Sequence, residues 1–480
     1  MYSIVRIIEK SLVLVCLLVL GSCATWRPKN DILSKLETPP QYFGEKTEMA
    51  APKITWRELF NDPDLSRLID TALRRNYNKK IALNMVKAAQ AELLRARTPL
   101  LPQVQAILST GVERFGDFTM NGVGNYDLNK SENIRPDQRL PNPVTDVFVG
   151  LRASWEIDIW HRLKAQKESA TERILATTEG VQWLNTNIIA AVANAYYELL
   201  ALDAESIVVV QNIELQSRAL EIVKAQKNAG RATELAVQQF QAQVLETRAL
   251  YFQLQQRIVI AENALRLLMG QFDGEIPRAR VLREQVLPER IATGLPTQLI
   301  FNRPDIRQME HELAATNIDV YVARTAFLPN LTLTPFVGLQ AFRPSVLFQP
   351  QSAALGVLGG LANPVFNRRG IEAERDSRLA RREAALNGYY QNIVMAYLEV
   401  QTELQQIQNL RQSYTLKSEE VVALTRAVDV SNDLYVAGFA NYLEVITAQR
   451  SALKAALELA EIRKFQLINV VNLYRALGGG

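Results

Sequence analysis

The chain has 480 residues, 48% hydrophobic and 22% charged, long enough for two or three ordinary domains and too apolar for bulk disorder. Its formal net charge of +4 is small for that length, and no Lys/Arg cluster is interleaved with aromatics, which argues against a nucleic-acid partner. Two Cys and two His supply neither a disulfide framework nor a structural zinc site.

In chain order the first signal is a leader. Arg6 and Lys10 precede SLVLVCLLVL, a run too short to span a bilayer but built like the core of a secretory signal peptide. Gly21, Ser22 and Ala24 would serve an ordinary cleavage site. Leu20-Gly21-Ser22-Cys23 also resembles a bacterial lipobox, in which the cysteine is lipidated and becomes the mature N-terminus. On that reading residues 1–22 are removed, residues 23–55 form an extended lipid-anchored segment, and Ala24 resembles the residue found in lipoproteins sorted to the outer membrane. Lipid on Cys23 adds roughly 0.8 kcal/mol per buried CH₂, so several chains would tether firmly. Cleavage also removes Cys16 and leaves one thiol. No other stretch offers eighteen uninterrupted apolar residues, so membrane residence is expected through an anchor or strands.

The rest of the chain says most things twice. RTPLLPQVQAILSTGVE at 97–113 is echoed by RTAFLPNLTLTPFVGLQ at 324–340, an offset of 227. KNAGRATELAVQQFQAQV at 227–244 matches YVAGFANYLEVITAQRSA at 435–452, and LRLLMG ending at Gly270 matches LYRALG ending at Gly478, both offset by 208. The first copy is therefore longer by a net 19 residues, and residues 116–146, dense in Gly, Asn, Asp and Pro, read as an inserted loop. Residues 56–275 are read as the first repeat, 276–295 as a linker and 296–480 as the second. Each copy runs helix, strand, loop, strand, long helix, turn, long helix.

The strands show period-2 alternation. In the first, Val104, Ala106, Leu108 and Val112 face one side and Gln103, Gln105, Ser109 and Glu113 the other. In the second, Val147, Val149, Leu151, Ala153 and Trp155 alternate with Phe148, Gly150, Arg152 and Ser154. In the third, Leu331, Leu333, Val337 and Leu339 stand against Thr332, Thr334 and Gln340, and a small, Gly-rich fourth spans 353–362. Pro99, Pro102 and Pro329 mark the hand-over from helix to strand. Helical character runs from about Ile157 to Asn228, on the order of 100 Å at ~1.5 Å per residue. The following helix carries a seam at 3-4 spacing: Val237, Phe240, Val244, Thr247, Tyr251, Leu254, Ile258, Ala261, Leu265 and Leu268. Its second copy keeps Leu443, Ile446, Leu453, Leu457, Ala460, Leu467, Val471 and Tyr474, interrupted by Arg450 and Lys464.

Four strands cannot close a barrel, and an open sheet with an apolar face would leave edges unpaired in lipid. Strands in a membrane therefore require several chains to share one barrel, three chains giving twelve strands around a polar lumen. An enzyme is disfavoured. No GxSxG, HExxH, P-loop or Rossmann signature occurs. His161 and His311 read as helix-surface residues, and Glu156 and Asp158 as supports for a helix N-terminus. Seven Met and two His make no metal-handling stripe, which disfavours dedicated copper export. A periplasmic coiled-coil scaffold would explain the hairpins but not the four strands.

Five segments carry a family resemblance: WRELFNDPDLSRLIDTALRRN (56–76), ASWEIDIWHRLKAQ (153–166), NRPDIRQMEHELAATNIDVYVARTAFLPNLTLTPFVG (302–338), NPVFNRRG (363–370) and YVAGFANYLEVITAQRSAL (435–453). Together they resemble the outer-membrane efflux proteins, which are trimeric TolC-like channel tunnels, and among them the OprM- and NodT-like lipoproteins of drug efflux. The resemblance implies an α+β membrane protein, internally duplicated. Long antiparallel helical hairpins would form a periplasmic α-barrel, and four β-strands per chain would contribute to a shared trimeric outer-membrane β-barrel. It implies a homotrimer that passively conducts small molecules, docked to a periplasmic adaptor (membrane fusion) protein and through it to an inner-membrane pump. It implies no cofactor beyond the covalent lipid on Cys23, and no metal. An exit duct for type I protein secretion has the same fold; the lipobox favours small-molecule efflux. By resemblance the adaptor-docking tips are Ala229-Gly230-Arg231 and Ala437-Gly438-Phe439. The lumen constriction falls on Leu443, Thr447 and Arg450, where Thr447 departs from the family's acid. Glu444 is an acid at another position matched by some relatives and would form an anionic ring, and Tyr435 would lock the closed tip.

Overall fold

The computed structural model describes residues 42, 55–279, 281–287 and 302–479. The expected signal peptide and Cys23 lie outside the described residues, as do all of the anchor segment but Tyr42 and Thr55 and part of the linker. The described residues belong to one compact unit, Thr38–Gly480.

Three helices open it: α1 (Trp56–Leu59), α2 (Pro63–Arg75) and α3 (Tyr77–Arg97). Strand β1 (Gln103–Glu113) follows, then α4 (Met120–Lys130) and β2 (Val144–Ile157). The first hairpin is α5 (Arg162–Asn228) and α6 (Glu234–Met269). The second copy has α7 (Pro304–Thr325), β3 (Asn330–Ala341), β4 (Ala353–Ala362), α8 (Arg368–Ala437) and α9 (Tyr442–Ala476).

The strands form one antiparallel sheet in the order β1-β2-β3-β4. Register fixes its two faces. Leu108 lies opposite Val149, Val149 opposite Leu339 and Leu339 opposite Ala353, so one face is apolar across all four strands. That face is open: Val104, Leu108, Val112, Leu355, Val357 and Leu361 are all exposed. Indole groups pin the junction between sheet and helices. Trp155 donates to the Leu100 carbonyl at 3.3 Å and Trp160 to the Pro329 carbonyl at 2.8 Å, while the Tyr321 hydroxyl donates to the Trp160 carbonyl at 2.8 Å.

Below the sheet α7 packs between α5 and α8, and α9 packs on both α5 and α8. The main apolar core gathers α1 and α2, the middle of α5 (Val192, Tyr196, Leu199, Leu202), the end of α6 and the end of α9. The α6 seam is buried at Val237, Phe240, Val244, Leu254, Ile258, Ala261 and Leu265.

Three expectations need correction. The first long helix starts at Arg162 because β2 runs to Ile157. Asp158 accepts from the amides of Leu163 (3.0 Å) and Lys164 (2.9 Å), and His161 takes a left-handed turn at φ 54°, so His161 is a hinge before the helix rather than part of its surface. The inserted loop contains α4, whose Thr119 hydroxyl accepts from the Gly122 amide at 3.0 Å. Leu443 is not in the α9 seam: it is 55% exposed, and Val445 is the buried neighbour.

Candidate functional site

Each long hairpin ends in a turn that its sequence specifies. Gly230 (φ 72°) and Gly438 (φ 84°) take the left-handed conformation in which a Cβ is strained. The Arg231 amide donates back to the Gln226 carbonyl at 2.7 Å and the Phe439 amide to the Leu434 carbonyl at 2.8 Å. The returning helices are capped by Thr233, which accepts from the Ala236 amide, and Asn441, which accepts from the Leu443 and Glu444 amides. Ala229, Arg231 and Ala437 are exposed, and Phe439 is 83% exposed, an aromatic ring offered to solvent at the extreme end of a helical pair.

Just inside the turn α9 has two faces. Val445 and Ile446 are buried with Leu220, Val223, Val237, Phe240 and Val244 in a small apolar core. Tyr435 packs at its edge, 6.5 Å between ring centres from Phe240. Leu443, Glu444, Thr447 and Arg450 are exposed on the other side. Arg450 is held sideways at 2.6 Å by Glu246 of α6, a partner that sequence reasoning missed. Glu444 accepts a hydrogen bond from the Asn441 side chain at 2.9 Å. A polar layer of Gln216, Gln243, Thr247 and Gln449, all buried, separates this tip core from the main one.

The waist carries ionic groups that the sequence reading did not single out. Arg303, 3% exposed, reaches Asp305 (2.8 Å), Glu399 (2.8 Å) and the Ala476 carbonyl (2.8 Å), and stacks over Trp183. Glu399 also takes Arg475 at 2.5 Å. In the first repeat Asn76 stands where Arg303 stands in the second, and its side-chain amide donates to the Leu268 carbonyl at 2.8 Å as Arg303 does to that of Ala476. Asp62, further back in the chain, accepts from the Tyr196 hydroxyl (3.0 Å) and Gln285 (2.7 Å). The signal was present in the repeat itself: Arg303 follows Asn76 by the same 227 residues that separate the two strand entries, and Ala476 follows Leu268 by 208. Lys464, which interrupts the α9 seam, is 5% exposed and paired with Glu198 at 2.9 Å.

One turn below Glu399, Glu403 accepts from the Asn469 amide, and its pKa is pushed up to about 7, by burial first and Glu399 second, against Arg475. A carboxyl raised in the folded state stabilises fully while protonated in both states and loses that contribution as pH rises through the folded value. Glu403→Gln should therefore flatten the fall in stability between about pH 4.5 and 7. Unfolding midpoints across that range test it; a wild-type slope in the variant would show that Glu403 does not titrate there.

The polar face of the sheet carries Gln105, Arg152 and Phe336 in one row and Ile107, Gly150 and Gly338 in the next. Phe148 is buried on this face at 5% exposure, its ring lying over Gly150 and Gly338.

A sheet apolar on one face and polar on the other, with long hairpins beneath it, finds its match among known proteins. The outer membrane efflux protein family matches residues 68–271 and 295–479, most of the chain and in two segments. The chain belongs to that family. It is similar to the pyoverdine export outer membrane protein OpmQ of Pseudomonas aeruginosa, 31% identical over 473 residues that cover 98% of this chain and 96% of OpmQ. It is also similar to the cation efflux system protein CusC of Escherichia coli, 27% identical over 88% of each chain. A solved membrane protein from Pseudomonas aeruginosa superposes with a TM-score of 0.83 at 27% identity, covering 93% of this chain and 96% of that one. This efflux protein is an α+β outer-membrane component of an efflux system, and its family role is transport. In such a component an apolar sheet face suits lipid and a polar face suits a water-filled channel.

Proposed function

We propose that three copies of this chain close one β-barrel in the outer membrane and one helical tunnel beneath it. Through it small molecules leave passively after an inner-membrane pump and a periplasmic adaptor have loaded them, and the chain performs no chemistry of its own. The observation that carries this reading is the sheet: four strands, an apolar outer face, and two unpaired edges on β1 and β4. Such edges are not tolerated in lipid unless another chain pairs them. The helices agree. Of α8 only Tyr389, Ile393, Ala396, Val400 and Val428 are buried, while Val394, Leu398, Leu416 and Val422 stand exposed as a face for a neighbour. Lipid on Cys23 would hold the mature N-terminus at the inner leaflet.

Within this assembly Ala229-Gly230-Arg231 and Ala437-Gly438-Phe439 are the docking tips for the adaptor. The exposed stripe of Leu443, Thr447 and Arg450 narrows the closed end, Glu444 adds an anionic ring there, and Tyr435 holds α8 against the first hairpin. The relatives in pyoverdine export and cation efflux support small molecules as the cargo class. The test is the native mass of the mature protein extracted in mild detergent. A mass of three chains supports the shared barrel; a stable monomer would leave four strands unable to close and would sink it. Leu443→Ser should raise resting leak, read as increased sensitivity to large antibiotics in cells carrying the variant. Unchanged exclusion would remove Leu443 from the constriction.

A further inference from the structure

The channel-lining face of the sheet is not uniformly polar. At the level of Arg152 its row reads Gln105 on β1, Arg152 on β2, Phe336 on β3 and Gly356 on β4, with no acid among them. The acids of that face sit at the sheet's outer end, Asp146 opposite Gly111 and Glu113 opposite Val144, or at its helix end, where Glu156 is already bonded to Arg162 at 2.7 Å. The Arg152 side chain is exposed and, among the described residues, makes neither an ion pair nor a hydrogen bond. Its guanidinium carbon lies 5.9 Å from the Phe148 ring centre, and Phe148 meets Phe336 edge-on at 6.0 Å and 75°.

Glycines create this arrangement. A Cβ on Gly356 would meet the Phe336 ring at 2.7 Å, and one on Gly338 would meet Phe148 at 2.9 Å. Each ring takes up the space that a side chain at its glycine would fill, and the two meet edge to face. The result is an aromatic pair, Phe148 buried and Phe336 half-buried, beside a cation with no charged partner among the described residues, at mid-depth in the barrel wall.

We propose that Arg152, Phe148 and Phe336 form an anion-selective aromatic belt, a transit site for small organic anions that carry a flat aromatic ring. The proposal rests on the shared barrel argued above, in which three Arg152 side chains face one axis. A ring of arginines attracts anions, and low-dielectric walls focus its field on the passage. The guanidinium also presents a planar donor fork that pairs with carboxylate or sulfonate and stacks on aromatic faces. Glu444 at the far end of the tunnel has the opposite sign, so the two rings would discriminate in series.

Planar bilayers test it, with 2-naphthalenesulfonate applied from the barrel side of the wild-type channel under a KCl gradient. Wild-type channels should be blocked transiently by the naphthalene probe and less by methanesulfonate, which has the charge without the ring. Arg152→Gln should shift the reversal potential toward cation preference and raise the half-blocking concentration about tenfold, the loss of one good contact. Arg152→Lys should restore the reversal potential but not the full block. Gly356→Ala, which displaces the Phe336 ring, should lower unitary conductance and weaken the block with the charge intact. Conducting Arg152→Gln channels with wild-type reversal potential and block would overturn the belt and leave the shared barrel standing. A wild-type protein that makes no channel at all would overturn both.

Discussion

Replacing Arg303 by Met should lower the unfolding free energy by about 3–5 kcal/mol, the cost of stranding buried charges whose partner has gone. Two carboxylates, Asp305 and Glu399, are turned toward this one guanidinium, and the Ala476 carbonyl takes a further N–H from it. Burial alone would lower the Arg303 pKa, but Asp305 and Glu399 outweigh it and raise it, so the group stays charged at any accessible pH. The helices that meet there, α7, α8 and α9, come together at no other point with comparable polar contact among the described residues. Denaturant unfolding followed by the helical circular dichroism signal measures the loss. Arg303→Lys should recover only part of it, because an ammonium cannot match the paired contact with Asp305. A loss below about 1 kcal/mol would place the pair in the surface class and remove the waist from the stability argument.

Leu108→Arg should abolish assembly in the outer membrane, while Ser109→Arg one residue on should be tolerated. Leu108 stands 77% exposed on the apolar face of β1, and a charge at mid-depth on the lipid face of a barrel costs about 2–4 kcal/mol per chain. Three chains would bear it together. Ser109 is on the other face, opposite Phe148, the face that the proposed barrel would turn to its lumen. Heat-modifiable gel migration of outer-membrane fractions distinguishes the two variants. If both assemble equally, the apolar face does not meet lipid and the shared barrel fails with it.

What the sequence disclosed followed from how locally each feature is encoded. Period-2 alternation placed Val104, Val149, Val337 and their neighbours on one face, and register in the sheet agrees residue by residue because a one-residue slip would invert a whole strand. The tip turns were legible because only glycine takes the left-handed turn without strain, and Gly230 and Gly438 both do. The helix α4 was not legible: its sequence MNGVGNYDLNK is poor in helix formers and reads as loop. Leu443 misled because a 3-4 stripe extended one step too far runs into the capped first turn after Asn441, where Val445 takes the core position. The waist was hidden for another reason. Asp62 meets Tyr196 at a separation of 134 residues and Gln285 at 223, and no periodicity encodes such a meeting. The repeat offsets mark Arg303 as the counterpart of Asn76, and the exchange of an amide for a guanidinium disguises the buried charge.

The lengths of the two great helices carry a consequence for how such a tunnel can change over generations. α5 has 67 residues and α8 has 70, and each is locked to its return helix by a seam at 3-4 spacing. Inserting one residue would turn everything beyond it by about 100° and rotate the seam out of contact. Whole heptads keep the stripe in phase, each adding about 10 Å, while a step of three or four residues must be absorbed by local over- or unwinding. Both halves of the chain, and both limbs of each half, must accept the same addition for the ends to stay level. The reach of this protein is therefore a ruler marked in coarse divisions, and lineages with a deeper or shallower envelope must move along it one full mark at a time.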